Sequence, residues 1–319
     1  METAAAPGIR IDLDDLIGLR LRAQSLRLAR TQRAQRPLAG GHESRLRGRG
    51  MEFAESRAYL PGDDIRAMDW RVTARTGRAH TKVFQEERER PVVIVVDLGP
   101  GMYFGSRRVF KSVAAAQIAA LVAWVSASRG DRVGGLVFAG PEHRELRPAG
   151  GRRGVLKLLR ALIEMDGRAD PATGAAPASV SASGAAMAAA VLRARRIARP
   201  GSLSIVISDF YGMDPETGHE AERHLKRLRE HGDVRLAWVQ DPLEMDAPPP
   251  GRYAVSDGER IASLDASART VQIIYREYFE TRRAELEQMC LRSRIPLTLI
   301  SSAEEPMKVT RDLLGDRRA

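Results

Sequence analysis

Cysteine is nearly missing. Cys290 is the only one in 319 residues, so no internal disulfide can form and no zinc-type thiolate cluster can be assembled. Long hydrophobic runs are missing too: the longest unbroken stretch of branched aliphatic residues is Val92 to Val96, far short of the ~18 apolar residues of a bilayer span. The reading is therefore of a chain with no membrane span. The opening Met1-Glu2-Thr3-Ala4-Ala5-Ala6-Pro7 has an acid where a secretory signal carries a base, and no apolar stretch follows it, which points to a cytoplasmic protein. Aromatic residues make up only 5% and are not interleaved among the basic ones, which removes the usual stacking platform for single-stranded nucleic acid. Lysine is rare as well, with 5 against 46 arginines among the 51 basic residues.

The rest of the composition, 43% hydrophobic and 29% charged, is that of a globular chain. Its length exceeds the usual domain of roughly 100–200 residues, which predicts one decorated α/β domain or two modest ones. The net charge of +10 is concentrated at the start, where residues 1–50 hold ten Arg and five acids. Nucleic-acid binding through this Arg-rich N-terminus is one functional alternative, because counterion release from phosphates rewards any clustered basic surface. The abundance of Arg, Ala and Gly along the whole chain makes a solvated or partner-facing surface the simpler reading.

From Asp12 to Gln35, Leu13, Leu16, Ile17, Leu19, Leu21, Leu26 and Leu28 recur at roughly helical spacing, which predicts one or two amphipathic helices outside the main core. Residues 51–91 lack a long helical period and carry turn signals such as Leu60-Pro61-Gly62-Asp63-Asp64, a β-rich pattern. At Pro91 the texture changes to Val92-Val93-Ile94-Val95-Val96-Asp97, a β-branched run of the kind buried on both faces of a sheet and ending in a carboxylate. Leu203-Ser204-Ile205-Val206-Ile207-Ser208-Asp209 repeats that pattern. Helical segments at 108–128, 155–164, 185–198, 216–230 and 273–290 alternate with strands at 133–138, 234–239 and 296–300, which predicts a doubly wound, mostly parallel α/β sheet. Residues 167–184, poor in large apolar side chains, read as a loop, and Tyr253 to Leu264 as an inserted hairpin around Asp257-Gly258.

Chemistry-bearing motifs mostly fail on geometry. His219 and His224 are five residues apart, about 140° around a helix, whereas the zinc-protease spacing leaves about 40°. Gly150-Gly151-Arg152-Arg153-Gly154 lacks the Gly-Lys-Ser/Thr of a phosphate loop. Cys290 falls in an apolar helical phase and reads as a structural thiol. Asp97 and Asp209 remain: two acids delivered to the carboxyl ends of separate strands, where open α/β sheets place their ligands. Such a pair could hold Mg²⁺ and serve hydrolysis or phosphoryl transfer, which makes a Mg²⁺-dependent enzyme a second alternative. The other constellation interleaves Arg and acids with aromatics over residues 49–88. There, Arg57 or Arg66 paired with Asp64 or Asp69 would act as scaffold.

The motifs Gly48-Arg49-Gly50-Met51-Glu52-Phe53, Tyr59-Leu60-Pro61-Gly62-Asp63-Asp64-Ile65-Arg66, Met68-Asp69-Trp70 and Ala74-Arg75-Thr76-Gly77, followed by Glu86-Glu87-Arg88 and the strand ending in Asp97, resemble the bacterial "domain of unknown function 58" family. Ser208-Asp209-Phe210 and Asp241-Pro242-Leu243-Glu244 extend the likeness to roughly residues 12–302. The resemblance implies a von Willebrand factor A-like, Rossmann-type fold. It also implies a setting beside MoxR-type AAA+ ATPases as an adaptor in protein maturation or complex assembly, and it makes Arg49, Glu52, Phe53, Tyr59, Asp63, Asp64, Arg66, Asp69 and Trp70 a structural signature. Von Willebrand A domains bind a divalent ion through Asp-x-Ser-x-Ser, a Thr and an Asp. Here Gly99 and Gly101 stand at both serine positions after Asp97, Ser183 is the hydroxyl nearest the Thr position, and Asp209 matches the last acid. The resemblance thus implies a degenerate metal-ion-dependent adhesion site, with no cofactor beyond a weak Mg²⁺ on Asp97 and Asp209.

The expected organisation is a helical segment over 1–40, a β-rich signature over 41–91, a wound domain over 92–302 with a hairpin insertion near 252–265, and a tail over 303–319. The expected function is non-enzymatic partner binding through Asp97, Gly99, Gly101, Ser183 and Asp209.

Overall fold

The computed structural model describes residues 8–28, 51–61, 63–86, 89–169, 180–213, 218–256 and 261–316. These fall into two compact units, one made of residues 1–34 and 90–319, the other of residues 35–89.

The larger unit is built on a six-stranded sheet of β3 (Pro91–Asp97), β4 (Arg132–Ala139), β5 (Glu142–Gly150), β6 (Leu203–Ser208), β7 (Asp233–Gln240) and β10 (Leu297–Ser301). Their order is β10-β7-β6-β3-β4-β5. All neighbours run parallel except β5, which returns antiparallel along β4 as an edge. This is the doubly wound Rossmann-type order the strand–helix alternation predicts. In β3 the side chains of Val92, Ile94 and Val96 join one hydrophobic core while Val93 and Val95 join the other, the period of two expected of a strand covered on both faces. The first core is closed by α3 (Lys111–Ser128), α4 (Gly151–Ala169) and α9 (Pro306–Leu314). The second is closed by α5 (Val180–Ile197), α6 (His219–His231) and α8 (Arg269–Ser293).

Three expectations need correction. The helix expected outside the main core, α1 (Leu13–Ala23), belongs to it: Leu16, Leu19 and Ala23 are buried in the first core. The indole Nε1 of Trp124 in α3 donates to the Leu16 carbonyl at 3.0 Å, and Arg20 lies over the Trp124 ring. The expected tail over 303–319 contains α9, whose Val309, Leu313 and Leu314 are core residues; Arg22 pairs with Glu305 at its start. The expectation of no membrane span holds in the form that no clear span is present among the described residues: α3 has the length and composition of one, but 83% of it is buried inside the protein. Apolar residues all round a helix suit a core as well as a bilayer. The loop expected at 167–184 is shorter, because α4 reaches Ala169 and α5 starts at Val180; residues 170–179 lie outside the described residues. The hairpin insertion forms from β8 (Arg252–Ser256) and β9 (Ile261–Asp265), its Asp257-Gly258 turn again outside the described residues.

The smaller unit pairs β1 (Met51–Ala58) antiparallel with β2 (His80–Glu86), and between them runs α2 (Trp70–Thr76). The acids of this unit are spent locally, and differently from the expected pairs. Arg57 makes a bidentate pair with Asp63, at 2.9 and 2.7 Å. Asp64 caps a single 3-10 turn over 65–67, and Asp69 caps α2 by accepting the Val72 amide. Acids directly before a helix find its free N–H groups first, so Asp64 takes the Arg66 amide at 2.9 Å rather than its guanidinium. Glu52 and Phe53 lie in β1, Trp70 is exposed at the start of α2, and Arg49 is outside the described residues.

If α1 is a core element, Leu16→Ala costs about 2–5 kcal/mol, the usual range for a fully buried leucine. Urea unfolding measures it; a loss below about 0.5 kcal/mol, typical of surface positions, would return α1 to the periphery.

Candidate functional site at the carboxyl ends of the sheet

The sheet reverses its winding between β3 and β6: β4 follows β3 on one side and β6 adds on the other. Loops leaving the carboxyl ends diverge there and open a crevice. Asp97 is the last residue of β3 and Asp209 the first after β6. The structure brings them together: Asp97 Oδ2 accepts the hydroxyl of Ser208, next to Asp209, at 2.6 Å, and Asp97 Oδ1 accepts the Gly99 amide at 2.7 Å. Asp97 keeps some accessible surface. Protein nevertheless surrounds its carboxyl closely enough that burial, with the charge of Asp209 second, pushes its pKa up to about 7.

Asp209 is buried. Its Oδ1 accepts the Tyr211 amide at 3.1 Å, and its Oδ2 lies 3.2 Å from the ammonium of Lys111. Phe210, between them, has a left-handed backbone at φ 51°. A bulky residue rarely adopts that conformation, so strain is stored where the chain turns Asp209 inward and Tyr211 outward. Arg282 of α8 donates to the Asp209 carbonyl at 3.3 Å and lies 4.5 Å over the Tyr211 ring.

Lys111 also holds Glu244 Oε1 at 2.6 Å. Glu244 belongs to α7 (Pro242–Met245), a single turn closed by a capping box with Asp241. Burial alone would lower the Lys111 pKa, but the Asp209 and Glu244 carboxylates outweigh it and hold it above the ordinary lysine value. Asp241 follows β7 as Asp97 and Asp209 follow theirs. Burial would raise its pKa; the Ser106 and Ser302 hydroxyls and the Ser106 and Leu243 amides prevail and keep it low.

Of the residues named from sequence, Gly99 forms the amide turn under Asp97. Gly101 marks a close approach: a Cβ there would stand 2.3 Å from Asp209 Oδ2. Ser183, in the first turn of α5, lies with its backbone against Gly212, where a Cβ would meet the Ser183 carbonyl carbon at 2.4 Å. The reading from sequence named Asp241 and Glu244 only as part of the family likeness, and it did not reach Lys111, Ser106 and Ser302. Two signals were present. Lys111 is one of five lysines and heads a helix with no other charge, and Asp241 closes a strand as the other two acids do.

The arrangement does not fit a divalent ion. Asp209 Oδ2, the oxygen such an ion would take, already faces an ammonium, and both oxygens of Asp97 are engaged by protein donors. Among the described residues no group of three or more His, Cys, Asp or Glu side chains is placed to hold a metal. Cys290 is buried, which pushes its thiol up to about 12, and an un-ionised thiol is no nucleophile.

The chain thus has a wound α/β unit with acids at its switch point and a separate small hairpin unit. The family described as "Protein of unknown function DUF58" matches residues 55–288, and the chain belongs to that family. Among its relatives, "Uncharacterized protein Mb1516" of Mycobacterium bovis and "Uncharacterized protein Rv1480" of Mycobacterium tuberculosis are each 31% identical over 265 residues, covering 82% of this chain and 78% of their own. A solved structure, conserved hypothetical protein BatB from Bacteroides thetaiotaomicron, aligns over 71% of this chain and 98% of its own at 16% identity with a TM-score of 0.44. That likeness is too slight to carry the fold, which rests on the strand order.

Asp97 gives the site a pH signature. Its carboxyl stays protonated in the fold up to about 7, whereas in the unfolded chain it ionises near the ordinary 3.8. The stability tied to it is full below the lower value and lost as pH rises through the higher one. Urea unfolding of the wild type between pH 4 and 8 therefore shows a falling component on the order of 2–4 kcal/mol, absent from Asp97→Asn. An identical pH slope in both proteins would remove the shift.

Proposed function

We propose that the chain is a non-enzymatic interaction module that works with a MoxR-type AAA+ ATPase, docking the ATPase or one of its clients on the rim formed by the loops of Asp97, Gly99, Gly101, Ser183 and Asp209. The observation that carries this reading is the apolar surface around the buried polar cluster. Phe104, Met245, Ile274 and Tyr278 are all more than 40% exposed; the first two belong to segments in contact with Lys111, the last two to α8, which packs on the loops of Asp209 and Glu244. The Phe104 carbonyl accepts the Lys111 amide, Met245 adjoins Glu244, and the Tyr278 hydroxyl donates to that of Tyr211 at 3.1 Å. Beside them a groove of about 570 Å³ is lined by Phe210, Tyr211, Trp238, Ile274, Tyr278 and Arg282. Aromatic, Met and Arg side chains over a rigid base are the composition of protein–protein contact centres.

The acids support the same reading. Asp209 and Glu244 are both held by the Lys111 ammonium, so their charge is matched within the protein. The Mg²⁺-dependent alternative would need Asp209 released from it. The ATPase partner rests on the family resemblance.

Biolayer interferometry between the purified chain and a MoxR-type ATPase of the same organism tests the proposal. The wild type binds, and the double variant Ile274→Arg with Tyr278→Ala loses about tenfold or more, in keeping with truncated contact residues, with its melting temperature within a few degrees. Absence of binding by the wild type removes the partner; undiminished binding by the double variant removes the rim.

A further inference from the structure

Three observations meet at Lys111. It is the first residue of α3, where the helix's own N–H groups already present positive partial charge and disfavour a cation, yet its side chain is only 2% exposed. An ammonium is kept in such a place only by paired acids, and two are supplied by different loops: Asp209 after β6 at 3.2 Å and Glu244 after β7 at 2.6 Å. The third observation is spatial. Asp209 Oδ2 stands where a Cβ on residue 101 would be 2.3 Å away, so that carboxylate fills the volume a side chain from the β3 loop would otherwise take.

We infer that Lys111 is the resident cation of the rim, its ammonium supplying from within the chain the positive charge that a divalent ion would otherwise bring to Asp97, Asp209 and Glu244, so that the rim is assembled with no metal bound. An ammonium cannot be chelated or exchanged and imposes no octahedral shell; two of its three donors are already directed to the two acids. The rim is thereby insensitive to the surrounding divalent concentration. This goes beyond the docking proposal and is independent of it, because the readout is metal uptake and stability of the chain alone.

The experiment compares the wild type, Lys111→Ala, and the charge-balanced double variant Lys111→Met with Glu244→Gln, by calorimetric titration with Mn²⁺ and by thermal melting in EDTA and in Mn²⁺. The wild type takes up no Mn²⁺ at about 1 mM, well above the range of built oxygen-ligand sensor sites, and melts alike in both buffers. Lys111→Ala melts roughly 10 °C lower in EDTA, the loss expected when a buried pair is broken; it binds Mn²⁺ and recovers part of the loss with it. The double variant recovers without metal and melts alike in both buffers. Stoichiometric Mn²⁺ uptake by the wild type, an Ala variant as stable as the wild type, or an Ala variant indifferent to Mn²⁺ overturns the inference. If Lys111→Ala does not fold, the double variant decides: folding with equal melting in both buffers supports the inference, and damage as severe as in the single variant overturns it.

Discussion

Lys111 sits buried at the first position of α3 and is kept there by Asp209 and Glu244. These contacts join the start of a core helix to the loops after two neighbouring strands. Buried ion pairs cost desolvation that their attraction only partly returns, so their worth lies in specifying one arrangement more than in net stability. At this rim the specification is extensive. Glu244 also accepts the Asp241 amide and so closes the turn of α7, while Asp209 also accepts the Tyr211 amide and so fixes the loop that carries the aromatic surface. Loosening the ammonium would free both loops at once.

The sheet supplies the convergence. Because β6 lies beside β3 while the chain proceeds from β3 to β4 on the other side, Asp97 and Asp209 arrive at one crevice from opposite halves of the winding. Asp241 follows β7, the next strand outward, and is satisfied by Ser106 from the β3 loop and Ser302 after β10. The family to which the chain belongs thus contains, in this member, a rim whose acids are engaged within the protein and whose exposed face sets Ile274 and Tyr278 among charged residues of α8.

Much of this was legible from residue pattern. The β-branched run over 92–96 and the matching run before Asp209 mark central strands, because only a strand covered on both faces tolerates uninterrupted apolar side chains. Acids at their ends mark the crevice. The pairing of Lys111 with Glu244 was not legible, since its partners are 133 residues apart and no local period connects them. In the signature segment the charged residues were read as long-reach pairs, yet Asp64 and Asp69 are taken by the amides of the turns they precede and only Asp63 reaches Arg57. The helix α1 was misplaced because its apolar stripe, broken by the exposed Leu21, looks the same whether it covers a core or rests on a surface. The expected tail carried a readable helical period, with Pro306, Val309, Thr310, Leu313 and Leu314 on one face, but it follows the last strand and was taken as lying past the end of the domain.

The tie between α1 and α9 bears on biosynthesis. Arg22 meets Glu305, 283 residues later, and the Arg27 amide meets Asp316. On the ribosome the first helix emerges long before its last partner, and such distant contacts close slowly. The leucine face of α1 can be covered by α3, whose Trp124 lies 108 residues on, but the polar ties of Arg22 and Arg27 close only after every strand of the sheet has been made, so they act as a late latch on an already packed helix.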